Sequence, residues 1–211
     1  IEPEKRLGMA DELRLQLAAS QETFGVPPNL HIIGTLNTAD RSIALMDVAL
    51  RRRFIFEEIM PDISTIQKME IDEDLKKLTT ALFKTLNKRI TFLYDRDHQL
   101  GHAYFLQINS YLDVRDVIAR KVLPLLQEYF YGDWKKIAIV LGCPYQEGKP
   151  SKTKTVLHCN IEKEREVIGF DDDIEDQLVW EIDPYFQSGT DKYNQATEDE
   201  IIPYLKGIYS V

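Results

Sequence analysis

The feature that most limits what this chain can fold into is an apolar run, Leu30 to Leu36, that stops at Asn37-Thr-Ala-Asp-Arg-Ser42. Pro27-Pro28 precedes it. A short apolar stretch between such breakers reads as a buried strand. The amide of Asn37, the hydroxyl of Thr38, the carboxylate of Asp40 and the guanidinium of Arg41 then sit at its carboxyl end. Open α/β sheets bind their ligands at that end. Ser42 is placed to cap a helix in which Leu45, Met46, Ala49 and Leu50 form an apolar stripe, and which ends in Arg51-Arg52-Arg53. Guanidinium groups one helix away from such a strand end suit a phosphate, in the same site or across a subunit boundary.

The flanking segments extend this reading. Residues 1–12 are charged and are expected to be helical. Leu13, Leu15 and Leu17 alternate with more polar neighbours, as a half-buried strand does. Phe54, Phe56 and Ile59 alternate again, and Pro61-Asp62 closes the α/β portion. From Ile63 the apolar period becomes helical: Ile66, Met69, Leu75, Leu78, Leu82, Phe83, Leu86, Ile90 and Leu93 mark two helices that part near Asp72. A further helix is expected from Leu112 to Tyr131, kinked or divided at Pro124. Another runs from Trp134 to Leu141, with Gly142 as its stop. Tyr94, Tyr129, Phe130 and Tyr131 fall at helical spacing and read as core. After Pro144 the pattern changes to strands at Val156–Ile161 and Val179–Ile182 and a closing helix from Glu198 to Tyr209. The acidic run Asp171–Asp176 lacks the alternation and the glycine of a calcium loop and reads as a solvated loop.

Composition narrows the function classes. A net charge of −9 over 211 residues argues against a segment that wraps nucleic acid by itself. No apolar run approaches the roughly 20 residues that span a bilayer, and with no basic, apolar leader the expected location is the cytoplasm. Cys143 and Cys159 are too few for a disulfide framework. His31, His98, His102 and His158 share no metal-ligand spacing, so no metal site is expected in the chain.

None of the ten glycines belongs to a Gly-x-x-x-x-Gly-Lys-Ser/Thr loop. The chain opens at Ile1-Glu2-Pro3 without an initiator methionine, and the expectation is therefore a piece of a longer protein whose phosphate-binding loop lies upstream. Leu36-Asn-Thr-Ala-Asp-Arg-Ser42 resembles the Met-Asn-Thr-Ala-Asp-Arg-Ser signature of McrB-type proteins, the AAA+ GTPase subunits of methylcytosine-dependent restriction endonucleases. Ala49-Leu-Arg-Arg-Arg-Phe54 is similar to that family's continuation. Gly101-His-Ala-Tyr-Phe105 resembles its Gly-His-Ser-Tyr-Phe, and Pro124-Leu-Leu-Gln-Glu-Tyr-Phe130 resembles a downstream segment. Leu36 departs from the family's methionine, a change that conserves volume. The likeness covers about residues 24 to 142, and nothing after Cys143 shares it.

The resemblance implies an α/β fold: the carboxyl-terminal part of an AAA+ core with a partial parallel sheet (1–62), an α-helical lid (63–143) and a small mixed extension of unassigned role (144–211). It implies that Asn37 is the sensor that orients the attacking water, because hydrolysis needs water held in line while charge develops on phosphoryl oxygens. By residue type alone, the Asn-Thr-x-Asp turn is also a helix cap. Arg51 and Arg52 correspond to the finger that reaches a neighbouring subunit's nucleotide, although a basic helix end is also what the helix dipole favours. Neighbouring residues on a helix point about 100° apart, so Arg53 is not expected to share that role. Thr38, Asp40, Arg41 and His102 are expected near nucleotide. The intact protein would take GTP, or ATP, with Mg2+; it would form a ring and drive a partner nuclease along DNA, with DNA contacts outside this chain. The chain by itself is expected to bind no cofactor and to be inactive. The alternative is a non-catalytic assembly module derived from an AAA+ domain.

Overall fold

The computed structural model describes residues 2–36, 53–143, 154–162 and 177–210. The chain divides into two compact units, Ile1–Ile59 and Met60–Val211.

In the first unit a 3-10 turn at Pro3–Lys5 replaces the expected helix. Pro3 is compatible with a helix start, but the chain then leaves through Gly8 at φ +77°. The amide of Leu7 bonds the carbonyl of Val26 at 2.8 Å and that of Leu13 bonds Lys5 at 3.1 Å. A short antiparallel hairpin follows, β1 (Leu15–Gln16) against β2 (Thr23–Phe24), with Leu15 opposite Phe24. Val26 is the one buried apolar side chain among the described residues of this unit. Leu13, Leu15 and Leu17 are exposed rather than half-buried, and so is Phe24.

Residues 30–36 and 55–61 carry no regular structure, in contrast to the strands expected there. Ile33 is 94% exposed. An apolar strand of a parallel sheet is buried only between neighbouring strands and under helices, and among the described residues no strand is paired with either segment.

The second unit has a continuous core. Helix α1 (Ile63–Gln67) starts at Asp62, whose carboxylate accepts the Ser64 N–H at 2.8 Å. Helix α2 (Glu73–Leu93) starts at Asp72, which accepts from the Asp74 and Leu75 amides, with Glu73 and Asp74 favourably placed in the first turn. Its buried face is the stripe Leu75, Leu78, Leu82, Phe83, Leu86 and Ile90. Helix α3 (Tyr111–Val117) runs without a break through a π turn (Ile118–Val122) into α4 (Leu123–Tyr129). Pro124 has no N–H to return, and the preceding Leu123 amide reaches back five residues to the Ile118 carbonyl.

Helix α5 (Trp134–Val140) stops at Gly142, φ +68°. An antiparallel hairpin, β3 (Leu157–Glu162) and β4 (Gln177–Ile182), pairs Leu157 with Ile182. Helices α6 (Asp191–Gln195) and α7 (Glu198–Tyr209) complete the unit, the latter opened by a Thr197/Glu200 capping box.

Helix α7 packs against α2 and α3, and Ile201, Leu205 and Ile208 are each no more than 1% exposed. The far end of the chain therefore closes the helical core. Two close approaches fix it there. The Arg89 guanidinium of α2 donates to the carbonyls of Val140 on α5 and Ile208 on α7. A Cβ at Gly142 would lie 2.7 Å from the Ile208 carbonyl oxygen.

Candidate functional site

Of the residues expected near nucleotide, His102 is described; Asn37, Thr38, Asp40, Arg41, Arg51 and Arg52 lie outside the described residues. Arg53 is exposed and pairs with Glu2 at 3.4 Å. It borders a pocket of about 190 Å3 in the first unit, whose apolar wall is Leu13, Leu15, Phe24 and Val26.

The segment that carries His102 is held from three sides. At its start, the Asp95 carboxylate accepts the amides of Asp97 and His98 and contacts the His98 ring at 2.7 Å. Partial burial works against that charge, but the His98 ring and the two amides outweigh it and hold the Asp95 carboxyl below its usual range. His98 itself is packed edge-on against Tyr94 and Tyr129, which stack on each other with centroids 5.8 Å apart. The aromatic cluster is thus core, as its spacing suggests. Tyr131 is the exception at 88% exposure.

In the middle, the buried side chain of Asn87 on α2 makes both backbone bonds of Leu100. Its Nδ2 donates to the Leu100 carbonyl at 3.0 Å and its Oδ1 accepts the Leu100 amide at 2.7 Å. Leaving those buried groups unpaired would cost about 1–3 kcal/mol each. At the far side, the 3-10 turn His102–Phe105 inserts Phe105, fully buried, edge-on to Phe83 at 5.4 Å.

Between these anchors the His102 ring is half-buried, and its Nδ1 accepts the backbone N–H of Asp62 at 3.1 Å. The same Asp62 caps α1 through its side chain, and the Ser64 hydroxyl and amide hold its carboxyl below the ordinary range. Lys121 stands 5.9 Å from the centroid of the Tyr104 ring. Arg96 is exposed on the turn after Asp95. The Asn87 clamp leaves no mark in the sequence, because an isolated Asn on an apolar helix face names no partner.

Two further polar clusters belong to the fold. Arg115, 5% exposed at the end of α3, bonds the Asp116 carboxylate and the Tyr193 carbonyl, with its guanidinium 3.9 Å over the Tyr193 ring. The Tyr193 hydroxyl donates to Asp116 and accepts from Arg120, so α6 is pinned to the π turn. Asp183 accepts the Tyr204 hydroxyl at 3.0 Å and lies 2.7 Å from His158 Nε2, joining β3, the end of β4 and α7. Among the described residues no group of three or more His, Cys, Asp or Glu side chains is placed to hold a metal ion. Nor is any described helix long and apolar enough to cross a membrane. Cys143 and Cys159 are free thiols.

Comparison with known proteins falls on this same region. Residues 79–138, from the middle of α2 to α5, match the family described as McrB, alpha-helical lid domain. The chain is also similar to the "Type IV methyl-directed restriction enzyme EcoKMcrB subunit" of Escherichia coli (strain K12), with 36% identity over 129 residues. That alignment covers 54% of this chain and 28% of the relative, so the chain spans little more than a quarter of that protein's length.

Proposed function

We propose that this chain, whose residues 79–138 match the McrB lid family and which is 36% identical over 129 residues to an McrB subunit, is the sensor and lid portion of an AAA+ nucleotide-hydrolysing subunit of a modification-dependent restriction system. One observation carries the reading. A helical unit that matches the McrB lid stands in the same chain as the sequence motif Asn37-Thr-Ala-Asp-Arg-Ser42 and the run Arg51-Arg52-Arg53. Neither element alone would require the other.

In this reading Asn37 orients the attacking water by its side-chain amide, and Thr38, Asp40 and Arg41 shape the same turn. Arg51 and Arg52 act on a neighbouring subunit's nucleotide, where a guanidinium stabilises developing charge and contributes about 10³–10⁵ in rate. His102 lies near nucleotide and offers an N–H donor, which suits a phosphate oxygen. GTP, or ATP, with Mg2+ supplies the triphosphate and the cation that neutralises it. No metal ligand is assigned to the described residues, and the 211-residue chain by itself is proposed to be inactive. The intact protein assembles as a ring with a nuclease partner, and its DNA contacts lie outside this acidic chain.

The test is a mixing experiment with the intact protein. Rings that combine wild-type subunits with Arg51→Ala or Arg52→Ala subunits are expected to lose GTP hydrolysis in proportion to the number of mutant–wild-type boundaries. Asn37→Ala is expected to lower turnover per subunit without that dependence. Undiminished hydrolysis in the mixed rings removes the trans-acting role. Undiminished hydrolysis by Asn37→Ala removes the motor reading altogether and leaves a non-catalytic assembly module.

A further inference from the structure

The turn between α4 and α5 holds Tyr131 in a backbone conformation that its side chain disfavours. Two bonds close the end of α4: the Gly132 amide donates to the Gln127 carbonyl at 3.1 Å, and the Tyr131 amide to the Glu128 carbonyl at 3.3 Å. At such a stop the second residue past the helix turns left-handed, and glycine usually supplies it. Here Tyr131 takes that place at φ +50°, although Gly132 stands beside it. A bulky side chain there is strained. No packing within the fold offsets the strain, because the ring is 88% exposed and among the described residues none stacks on it or bonds its hydroxyl. Strain held at an exposed ring points to a use outside the fold.

The first unit carries a pocket of matching size. It holds about 190 Å3 between Leu13, Leu15, Phe24 and Val26. Small-molecule pockets start at roughly 300 Å3, so this one suits a single side chain. At its rim Lys5 and Arg53 share one carboxylate, Glu2, which leaves a cation in excess. Beside Tyr131 the excess has the opposite sign. Glu128 is exposed and forms no ion pair among the described residues, Asp133 pairs with Lys136 at 3.4 Å, and Lys135 lies by Cys159 of β3.

We propose that Tyr131 of one copy enters the Leu13–Phe24 pocket of a second copy, with Glu128 set beside Lys5 and Arg53. The ring supplies apolar area and the acidic side chain fixes its direction of approach. Because the two surfaces differ, the contact runs head to tail, and its repetition closes a ring or extends a filament. Closure into a ring rests on the reading above; the pairwise contact does not.

Mixed cross-linking tests the contact in the 211-residue chain, on a Cys159→Ser background whose remaining thiol, Cys143, is buried. Tyr131→Cys mixed with Leu13→Cys and a short bismaleimide is expected to give a mixed dimer. Tyr131→Cys mixed with Lys84→Cys, exposed on α2, is expected to lose that product. Equal yields in the two mixtures overturn the contact, as does a dimer of Leu13→Cys with itself, which would mean pocket against pocket. In the intact protein Tyr131→Gly is expected to weaken subunit association about tenfold, as loss of a buried interface tyrosine does. The melting temperature of the 211-residue chain is expected to hold or rise with the same change, since glycine suits the left-handed backbone. A lower melting temperature with unchanged association marks a purely structural tyrosine and overturns the contact. Lys5→Glu and Glu128→Lys are each expected to weaken association about threefold, and their combination to restore it. If the intact protein forms rings and Tyr131→Gly assembles like the wild type, the ring stands and this contact falls. If the mixed dimer forms while the intact protein makes no ring, the contact stands and the ring reading falls.

Discussion

Ending the chain at Ala196 removes α7 and with it Ile201, Tyr204, Leu205 and Ile208, which the helical unit buries to 6% exposure or less. Burying a large apolar side chain is worth about 1.5–3 kcal/mol, so these four represent about 6–12 kcal/mol. That figure is an upper one, since an unfolded chain already hides part of its apolar surface. Whole domains are stable by about 5–15 kcal/mol. The truncated protein is therefore expected to lose the cooperative unfolding of the helical unit at room temperature, although the lid match ends at residue 138. Urea titration followed by far-ultraviolet circular dichroism, with the fluorescence of Trp134 and Trp180 as a second probe, measures it. Leu205→Ala provides the graded version and is expected to cost about 2–5 kcal/mol while the fold survives. An unchanged urea midpoint in the truncated chain would refute the reasoning, because it would mean that α7 lies against the lid without stabilising it.

Two glycines offer a paired comparison. Gly132 and Gly142 both have positive φ, at +76° and +68°, but a Cβ at Gly132 meets nothing within 4 Å and one at Gly142 meets the Ile208 carbonyl at 2.7 Å. Gly132→Ala is expected to cost about 1–2 kcal/mol for backbone conformation alone. Gly142→Ala is expected to cost clearly more, since backbone must move. Equal shifts in melting temperature would show that the α7 contact is loose. The alkaline limb of stability gives the remaining check. Burial pushes the Cys143 thiol from 9.0 up to about 11 and the Tyr129 phenol from 10.0 up to about 12. Both raised values belong to groups that are neutral when protonated, so their contribution is complete below pH 9 and is lost as pH rises through 11 to 12. Melting temperature is expected to fall across that window, and Cys143→Ala to flatten its lower part; a level profile would contradict the burial argument.

The helical unit was largely legible because its sequence pattern reports a one-sided helix directly. The stripe of α2, its start at Asp72, the stop at Gly142 and the span of α7 all follow from spacing and caps. Tyr131 did not, because α4 ends at Tyr129 and Tyr131, φ +50°, and Gly132, φ +76°, turn the ring out of the core. The apolar runs at 30–36 and 54–59 show the limit of pattern reading. Alternation and hydrophobicity say that a segment seeks burial but do not supply what buries it. For the candidate site, residue types and the family motif could be read, whereas the bonds that set His102 in place could not. The Asn87–Leu100 and His102–Asp62 pairs join residues 13 and 40 positions apart through groups that any helix or loop carries.

Arg89 gives the lid a mechanical property. Its guanidinium is partly buried and held below its usual range by that burial, and the recorded bonds are to carbonyls at the ends of two helices, not to a carboxylate. Such a cation is tolerable only while both helix ends remain in place, since the partial negative charge there is its compensation. Peeling α7 away would remove the Ile208 carbonyl and leave the guanidinium to the Val140 carbonyl and to water. Fraying of α7 inward past Ile208 therefore breaks one of the two bonds by which a single side chain ties α2, α5 and α7 together, and the end of α7 is coupled to α2 by that bond.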